Sequence, residues 1–293
     1  MRIGTLRWPS AEILFLASRD GHLPSADFRL IEFVDDGEAM RALRNGTIEA
    51  AHLSLDEVLG VSQSGADPVV LFITDSSEGG DAVMARPGVT TIADLRGKRI
   101  AAQVGSVGAF LLYRSLAGAG MTVADVQMVN LPPYRQIDPF LRGEIDAAVT
   151  HEPLRTAMEE AGATEVLNSR IAPGEPMRVF VVRRDYLVAH QERARQVCAA
   201  WRQGLTASNA PAARAWIAAR MGVTPPAFEA MSARIGWVPW DDNRRILTGE
   251  RAAFLQRAAE TAGELATIGL APASVRADAL LQWPAGLAGE CAE

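Results

Sequence analysis

The chain has 293 residues, of which 48% are hydrophobic and 22% are charged. This length can bury a sizeable core and indicates roughly two domains of an ordinary globular composition. The 29 basic residues are interspersed with 35 acidic ones, and the net charge is -6. This pattern argues against a nucleic-acid binder, which carries a clustered basic face. No apolar run approaches the roughly 20 residues that span a bilayer.

Strand and helix patterns alternate from the start of the chain, which is typical of an α/β sheet with helical crossovers. Residues Ile3 to Thr74 predict four strands separated by three helices. The next run, Asp75–Asp81, is too polar and glycine-rich for a core element and predicts a hinge. The pattern therefore predicts that the chain leaves its first lobe there.

The alternation resumes at Ala82 and continues through the strand Met177–Arg183, after which the pattern is helical to the end. We therefore predict an α/β protein of two lobes with two hinge crossings and a helical C-terminal part packed on the first lobe. Lobe one comprises residues 1–79 and 184–293, and lobe two comprises residues 80–183. Two short segments that absorb a rotation are typical of hinge closure.

One phrase occurs twice in the chain. Leu43–Ala51 has the sequence LRNGTIEAA, and Leu141–Ala148 has the sequence LRGEIDAA. Each predicts a helix tail, a glycine in the left-handed C-cap position and a short strand. Polar residues follow both strands, and ligands of open α/β sheets bind beyond the carboxyl ends of strands. Two such ends facing each other predict a cleft between lobes.

The segment Thr91–Ser106 predicts a helical turn, a strand that begins with basic residues, and a helix opened by Gly105 and Ser106. The free backbone N–H groups of such a helix N-terminus attract polar or anionic ligand atoms. The alternative is that Ser106 is only a helix N-cap, which contributes about 1 kcal/mol.

The two cysteines, Cys198 and Cys291, show no metal-ligand spacing, and we expect two free thiols, with a disulfide as the alternative. Met1 is followed at once by a strand pattern rather than by a charged and then apolar leader. Either a processed chain or a cytoplasmic protein fits this beginning.

Several motifs occur in the order expected for one family. They are Trp8-Pro9, the phrase at Leu43–Ala51, Ser77–Asp81, Asp94–Lys98, Gly105-Ser106 and Gly143–Pro153. Over about residues 2 to 220, the chain resembles the substrate-binding proteins of nitrate, sulfonate and taurine ABC importers, a group that includes binders of thiamine-pyrimidine precursors. The resemblance implies a periplasmic-binding-protein fold of the second type, with a ligand clamped between two lobes.

The resemblance further implies a monomer that carries its ligand to a membrane permease, catalyses no reaction and needs no cofactor or metal. It implies a periplasmic or lipid-anchored extracytoplasmic location. By position, the family's ligand-contacting loops correspond to Trp8, Ser10, Glu12, His52, Ser54, Ser77, Glu78, Gly105, Ser106, Thr150, His151 and Glu152. The chain departs from the family at His151, where an aromatic residue often precedes the Glu-Pro pair.

Three acids among these candidates, Glu12, Glu78 and Glu152, disfavour a strongly anionic ligand unless they point away from it. Together with Trp8 and the histidines, they favour a nitrogen-bearing or heteroaromatic ligand. The alternatives are a sulfonate or nitrate binder, a cytoplasmic ligand sensor, and an enzyme of the same fold that is similar to fungal pyrimidine synthases. Structural roles are also open, with Trp8 covering a strand end, Glu12 at a helix N-terminus and His52 as a satisfied buried histidine.

Overall fold

The computed structural model describes residues 1–62, 66–103, 107–269, 276–284, 287 and 291. The chain forms two compact units. The first unit comprises Met1–Ser76, Met177–Phe228 and the described residues from Trp237 onward. The second comprises Ser77–Pro176 and Glu229–Gly236.

Strands are distributed along most of the described chain. They are β1 (Arg2–Thr5), β2 (Arg29–Glu32), β3 (Ala50–Ser54), β4 (Pro68–Ser77), β5 (Asp81–Ala85), β6 (Arg99–Ala102), β7 (Gln127–Asn130), β8 (Ala147–His151), β9 (Thr164–Asn168), β10 (Met177–Arg183) and β11 (Ile235–Trp237). They form a six-stranded sheet of order β11-β4-β10-β3-β1-β2 and a five-stranded sheet of order β7-β6-β8-β5-β9. The expected mixed α/β class is confirmed.

Helices connect these strands and make up most of the C-terminal part. They are α1 (Glu12–Arg19), α2 (Asp36–Arg44), α3 (Leu55–Val61), α4 (Val107–Gly118), α5 (Ile137–Arg142), α6 (Leu154–Glu160), α7 (Arg184–Ala189), α8 (Gln191–Ala207), α9 (Pro211–Met221), α10 (Pro225–Ser232), α11 (Trp240–Arg244) and α12 (Arg251–Thr267). Among the described residues, no helix combines the length and the apolar character needed to cross a bilayer.

The repeated phrase forms the same structure in both units. In the first unit, β3 pairs in parallel with β1 through Ala50 and Ala51. Glu49 accepts hydrogen bonds from the backbone N–H and the guanidinium of Arg2. Another guanidinium nitrogen of Arg2 donates to the carbonyl oxygen of Gly46 at 3.0 Å. The acid of the phrase therefore fixes the start of the neighbouring strand.

The second copy repeats each of these contacts. β8 pairs in parallel with β6 through Ala147 and Ala148. Asp146 accepts from the backbone N–H of Arg99 at 2.9 Å and from its guanidinium at 3.0 and 2.8 Å. Arg99 also donates to the carbonyl oxygen of Gly143 at 2.7 Å. These hydrogen bonds from Arg99 lower the pKa of Asp146 to about 2.

The central strands of the five-stranded sheet, β5, β6 and β8, are buried on both faces, as expected for strands between helices. One face carries Val83 and Ile100 and packs against Leu112 and Leu116 of α4. The other face carries Met84 and contacts Phe140 of α5 and Met158 of α6. Helical crossovers thus cover the strands of this unit on both sides.

Some elements differ from the sequence-based predictions. The polar run Asp75–Asp81 is not all hinge, since β4 continues through Ser77 and β5 begins at Asp81. β9 and β11 were not predicted, and β11 interrupts the C-terminal part that was expected to be helical. β9 has the sequence TEVLN and β11 the sequence IGW, and neither shows the alternation or the continuous apolar run by which a strand is recognised.

Three segments fall in a different unit from the one that the sequence analysis assigned, and the shortest, Ser77–Gly79, lies in the second unit. Met177–Arg183 lies in the first unit because β10 pairs antiparallel with both β3 and β4. Glu229–Gly236 lies in the second unit. In that unit, Arg234 forms ion pairs with Glu152 at 2.6 Å and Glu159 at 3.1 Å.

The expectation of two free thiols is wrong, because Cys198 of α8 and Cys291 form a disulfide across a sequence separation of 93 residues. Both side chains are buried. The spacing of the two cysteines carries no signal for this bond, because the bond depends on tertiary folding that brings Cys291 to α8. It joins two distant parts of the first unit covalently.

Removal of this disulfide is expected to destabilise the protein. A cross-link over a loop of this length restricts the unfolded chain, and native disulfides contribute about 2 to 4 kcal/mol. Urea unfolding of the Cys198→Ser/Cys291→Ser variant should give a free energy of unfolding lower by that amount. A reducing agent should lower the stability of the natural chain and leave that of the double variant unchanged, and equal stabilities would contradict the assignment.

The packing of α8 on α1 predicts a second stability effect. A methyl group at Gly204 would lie 2.8 Å from the carbonyl oxygen of Ile13 and 3.2 Å from the side chain of Ala17. Gly204→Ala should therefore lower the free energy of unfolding by about 1 to 3 kcal/mol, the usual effect of overpacking. Gly263→Ala in α12 is the matched control, since a methyl group there meets nothing within 4 Å, and it should be neutral or stabilising by up to about 1 kcal/mol.

Candidate functional site

Polar residues of the first unit meet where three parallel strands end. β1 runs parallel to β3, and both β3 and β4 run antiparallel to β10. The carboxyl ends of β1, β3 and β4 therefore lie at one edge of the sheet. Ligands of α/β sheets bind at such edges, which makes this edge the candidate site of the first unit.

Asp75 at the end of β4 is the acceptor at the centre of this edge. The indole N–H of Trp8 donates to its Oδ1 at 3.1 Å. The hydroxyl groups of Ser10 and Thr74 donate to its Oδ2 at 2.5 and 2.9 Å. All four side chains are at most 1% exposed. Two of the sequence-predicted residues, Trp8 and Ser10, thus use polar hydrogens to bind a buried carboxylate.

His52 completes this network from β3. Its Nε2 lies 3.0 Å from the Ser10 hydroxyl oxygen and 2.9 Å from that of Thr74. Because both hydroxyl hydrogens go to Asp75, we assign the proton to Nε2, which donates to both oxygens. Nδ1 is then an acceptor, and it is buried with no hydrogen-bond partner among the described residues. Burial and the neighbouring Arg178 lower the pKa of His52 to about 3, which fits a neutral ring.

Arg178 is the buried cation of this edge. Residue 178 of β10 is paired with Ser54 on one side and Asp75 on the other. Its guanidinium carbon lies 3.9 Å from the centroid of the Trp8 ring, within the range of a cation–π contact. Burial raises the pKa of Asp75, and the positive charge of Arg178 opposes that rise. Arg178 therefore compensates the carboxylate on which the network depends.

Ser54 and Glu12 each have a partner within the first unit. The backbone N–H of Ser54, at the start of α3, donates to Glu57 at 3.0 Å. Nε of Arg220 lies 2.8 Å from Oε2 of the buried Glu12, and the same guanidinium pairs with Glu32. Burial raises the pKa of Glu12 to about 7, although Arg220 acts in the opposite direction. Glu12 is thus a buried acid whose charge Arg220 compensates only in part.

The candidates of the second unit include Ser77 and Glu78, around the turn between β4 and β5. The Ser77 hydroxyl accepts from the backbone N–H of Asp81 and lies 2.9 Å from the hydroxyl of Ser169. Glu78 has an exposed side chain, and its backbone N–H donates to the carbonyl oxygen of Arg234 at 2.9 Å. Ser77 therefore stabilises the turn.

The remaining candidates of the second unit lie at the end of β8. Glu152 is buried, pairs with Arg234 and accepts from the hydroxyl and the N–H of Thr156 at the start of α6. His151 places Nδ1 2.8 Å from the carbonyl oxygen of Glu152. The hydroxyl oxygen of Thr150 is buried and has no hydrogen-bond partner in the described part of the chain. Gly105 and Ser106 lie outside the described residues.

Sequence reasoning missed Thr74, Asp75, Arg178 and Arg234. The signal for Arg178 was a charged residue inside an otherwise apolar strand, Met177–Val182, where burial demands a partner. Asp75 was hidden because the polar run that it opens predicted a hinge. Among the described residues, no group of three or more histidine, cysteine or acidic side chains has the geometry to hold a metal ion.

Comparison with known proteins gives the family. The model of the NMT1-like family matches residues 1–222. This chain belongs to the NMT1-like family.

Relatives of this NMT1-like chain include the taurine-binding periplasmic protein of Escherichia coli (strain K12). It is 30% identical over 164 residues, which cover 55% of this chain and 51% of that protein. The putative aliphatic sulfonates-binding protein of the same organism is 25% identical over 207 residues, or 69% of this chain and 65% of that protein. The chain thus spans about half to two thirds of the length of these relatives.

A solved structure shares the fold of this NMT1-like chain. The alkanesulfonate-binding protein SsuA from Xanthomonas axonopodis pv. citri, bound to MOPS, superposes with a TM-score of 0.79 over 95% of this chain and 96% of that one, at 22% identity. The expected periplasmic-binding-protein fold is confirmed.

The buried His52 predicts a pH dependence of stability. A histidine in the unfolded chain titrates near pH 6.5, and His52 in the folded chain titrates at about 3. Between these values the unfolded chain binds a proton that the folded chain does not, so the free energy of unfolding falls as the pH falls. In this window, the natural chain should lose up to about 1.4 kcal/mol per pH unit more than His52→Asn.

Urea unfolding at several pH values between about 7 and 4 checks this expectation. His22→Asn is the matched control because His22 is exposed, and it should keep the pH dependence of the natural chain. The pH dependence, rather than stability at one pH, is the readout, since His52→Asn also removes hydrogen bonds. Parallel curves for the natural chain and His52→Asn would contradict a buried neutral His52.

Proposed function

We propose that this chain is the solute-binding component of an ABC importer, which captures a small organic molecule and delivers it to a membrane permease. Membership of the NMT1-like family supports the proposal, as do relatives named for binding taurine and aliphatic sulfonates. The observation that carries it is the convergence of Trp8, Ser10, His52 and Asp75 at the carboxyl edge of three parallel strands. A prearranged polar edge of this kind suits ligand capture.

The acids among the candidate residues leave room for an organic anion as ligand. The sequence analysis weighed Glu12, Glu78 and Glu152 against an anion. Arg220 and Arg234 lie within ion-pair distance of Glu12 and Glu152, and the Glu78 side chain is exposed. The argument for a cationic ligand therefore weakens, and a sulfonate carried on a small organic skeleton becomes the preferred class. A molecule with both an amine and a sulfonate would also satisfy the predicted nitrogen-bearing ligand.

We further propose binding without a chemical reaction. The polar groups of the first-unit edge are used to hold one another, and the pKa of His52, lowered to about 3, makes it a weak base at neutral pH. An enzyme similar to pyrimidine synthases is the alternative, and turnover of a bound ligand would identify it. The proposal includes a ligand held between two lobes, contacts of that ligand with Thr150, His151 and Glu152 of the second unit, and a monomeric state.

An extracytoplasmic location forms part of the proposal. Relatives are named as periplasmic proteins, and the Cys198–Cys291 disulfide supports the same compartment, because disulfides persist mainly in oxidising environments. The cytoplasmic sensor has no comparable support. A permease partner follows from the proposed transport role.

A thermal-unfolding screen of refolded, ligand-free protein tests this function. The panel comprises taurine, an alkanesulfonate, nitrate, a pyrimidine and a cationic amine. A ligand at 100 times its dissociation constant stabilises the folded state by about 2.7 kcal/mol, which should raise the melting temperature by several degrees. We expect the organic sulfonates to produce this shift and the cationic amine to produce none.

Sodium sulfate at equal ionic strength is the control. Salts that are excluded from the protein surface raise the melting temperature without binding to a specific site. A shift that saturates with the sulfonate but not with sulfate would support the proposal. A shift with the amine alone would overturn the ligand class but keep solute binding. A flat response across the whole panel would count against the function itself, as would turnover of any member.

A further inference from the structure

A groove of about 390 Å³ lies within the first unit, a volume typical of small-molecule sites. The end of α8 and the turn after it contribute Arg202 and Asn209, and α9 contributes Arg214. Two tryptophans also line the groove. They are Trp237, the last residue of β11, and Trp240, the first residue of α11. We call this feature the arginine–tryptophan groove.

The aromatic part of the groove rests on the core of the first unit. The ring of Trp240 lies against Phe72 of β4, with 5.9 Å between ring centroids. Its indole nitrogen is buried and has no hydrogen-bond partner among the described residues. Trp237 is half-buried. Two indoles beside one cavity offer π faces on which a planar ring can stack.

The polar part of the groove is cationic. Arg214 stacks on Phe228, with 5.1 Å from its guanidinium carbon to the ring centroid, and Arg202 is exposed. A guanidinium has five N–H donors and can bind an anion alongside other partners. The described residues that line the groove include two arginines and no acidic side chain. Guanidinium groups bind sulfonate and carboxylate oxygens through charge-assisted hydrogen bonds.

The groove is fixed to the strand end that carries the first-unit network. The backbone N–H of Val238 donates to the carbonyl oxygen of Thr74 at 3.2 Å. The side chain of Asn243 in α11 forms hydrogen bonds of 2.6 and 2.7 Å with the backbone of Ile73. These contacts hold α11 beside the end of β4, so the groove adjoins the edge at which we place the ligand.

We propose that the arginine–tryptophan groove binds a planar aromatic ring bearing an anionic sulfonate or carboxylate group. This inference rests on the proposed solute-binding function and narrows the solute from small organic anions in general to aromatic ones. The indoles recognise the ring, and the guanidinium groups recognise the anionic oxygens.

Isothermal titration calorimetry with three probes tests the ligand class. Benzenesulfonate has both features, butanesulfonate has the anion without the ring, and benzyl alcohol has a ring without the anion. Benzenesulfonate should bind at least about tenfold more tightly than either of the others, since each lacks one recognised feature. Equal affinities for benzenesulfonate and butanesulfonate would overturn the proposed recognition of the ring. Equal affinities for benzenesulfonate and benzyl alcohol would overturn the proposed recognition of the anionic group.

Variants test whether benzenesulfonate binds in the groove. Arg202→Gln should weaken benzenesulfonate binding by about tenfold or more, the loss expected for a charge-assisted hydrogen bond. Trp237→Ala should weaken benzenesulfonate binding more than butanesulfonate binding, and Trp237→Phe should restore part of the difference. Arg41→Gln on the exposed side of α2 is the matched control and should bind like the natural chain. Thermal unfolding establishes that each variant is folded.

Two outcomes overturn the groove assignment. One is the absence of benzenesulfonate binding to the natural chain. The other is binding that stays unchanged in both Arg202→Gln and Trp237→Ala. Either result leaves solute binding intact if taurine, nitrate or an alkanesulfonate binds in the thermal screen. Failure of the proposed function would instead appear as a flat response to the entire panel.

Discussion

The contact between an acid and the first residue of the neighbouring strand is the constraint on which both sheets depend. Glu49 holds Arg2 in the first unit, and Asp146 holds Arg99 in the second. In each case the carboxylate binds the backbone N–H and the guanidinium of one arginine, and that arginine also binds the carbonyl oxygen of the preceding glycine turn. A shift of one residue would break all these contacts and turn every side chain to the opposite face. Register at the beginning of a strand thereby decides which side chains emerge at its end.

In the first unit, that register delivers a buried polar network whose side chains bind one another. Trp8, Ser10 and Thr74 all donate to Asp75, and His52 donates to the two hydroxyl groups. Buried networks of this kind are rigid when every member has a partner. Arg178 supplies the charge that a buried carboxylate requires, and removing either partner of such a pair usually costs far more than the pair gains. The edge is therefore prearranged, and the network fixes the position of His52 Nδ1, which has no hydrogen-bond partner among the described residues.

The sequence revealed those features that are encoded locally. The phrase around Gly46 and Gly143 predicted a helix end, a turn and a strand in both units, because glycine geometry and strand period are local properties. His52 followed from the same reasoning because it comes after the first copy of the phrase, whereas Ser10 was a candidate only through the resemblance to a known family. The pairing of Arg178 and Arg234 with their acids could not be found in this way. Asp75 lies about a hundred residues from Arg178 along the chain, and Glu152 lies 82 residues from Arg234. Met177–Arg183 lies in the first unit for the same kind of reason, because it pairs with strands β3 and β4, which are distant in the sequence.

The disulfide between Cys198 and Cys291 changes the topology of the polypeptide. It closes a covalent ring that contains α9, α10, α11 and α12. A single peptide-bond cleavage within that ring opens a loop but releases no fragment, so the molecule keeps its mass under oxidising conditions. For a protein exposed to extracellular proteases, such a ring makes the helical C-terminal part tolerant of a nick. The tail that carries Cys291 thus acts as a covalent anchor for the helices that line the arginine–tryptophan groove.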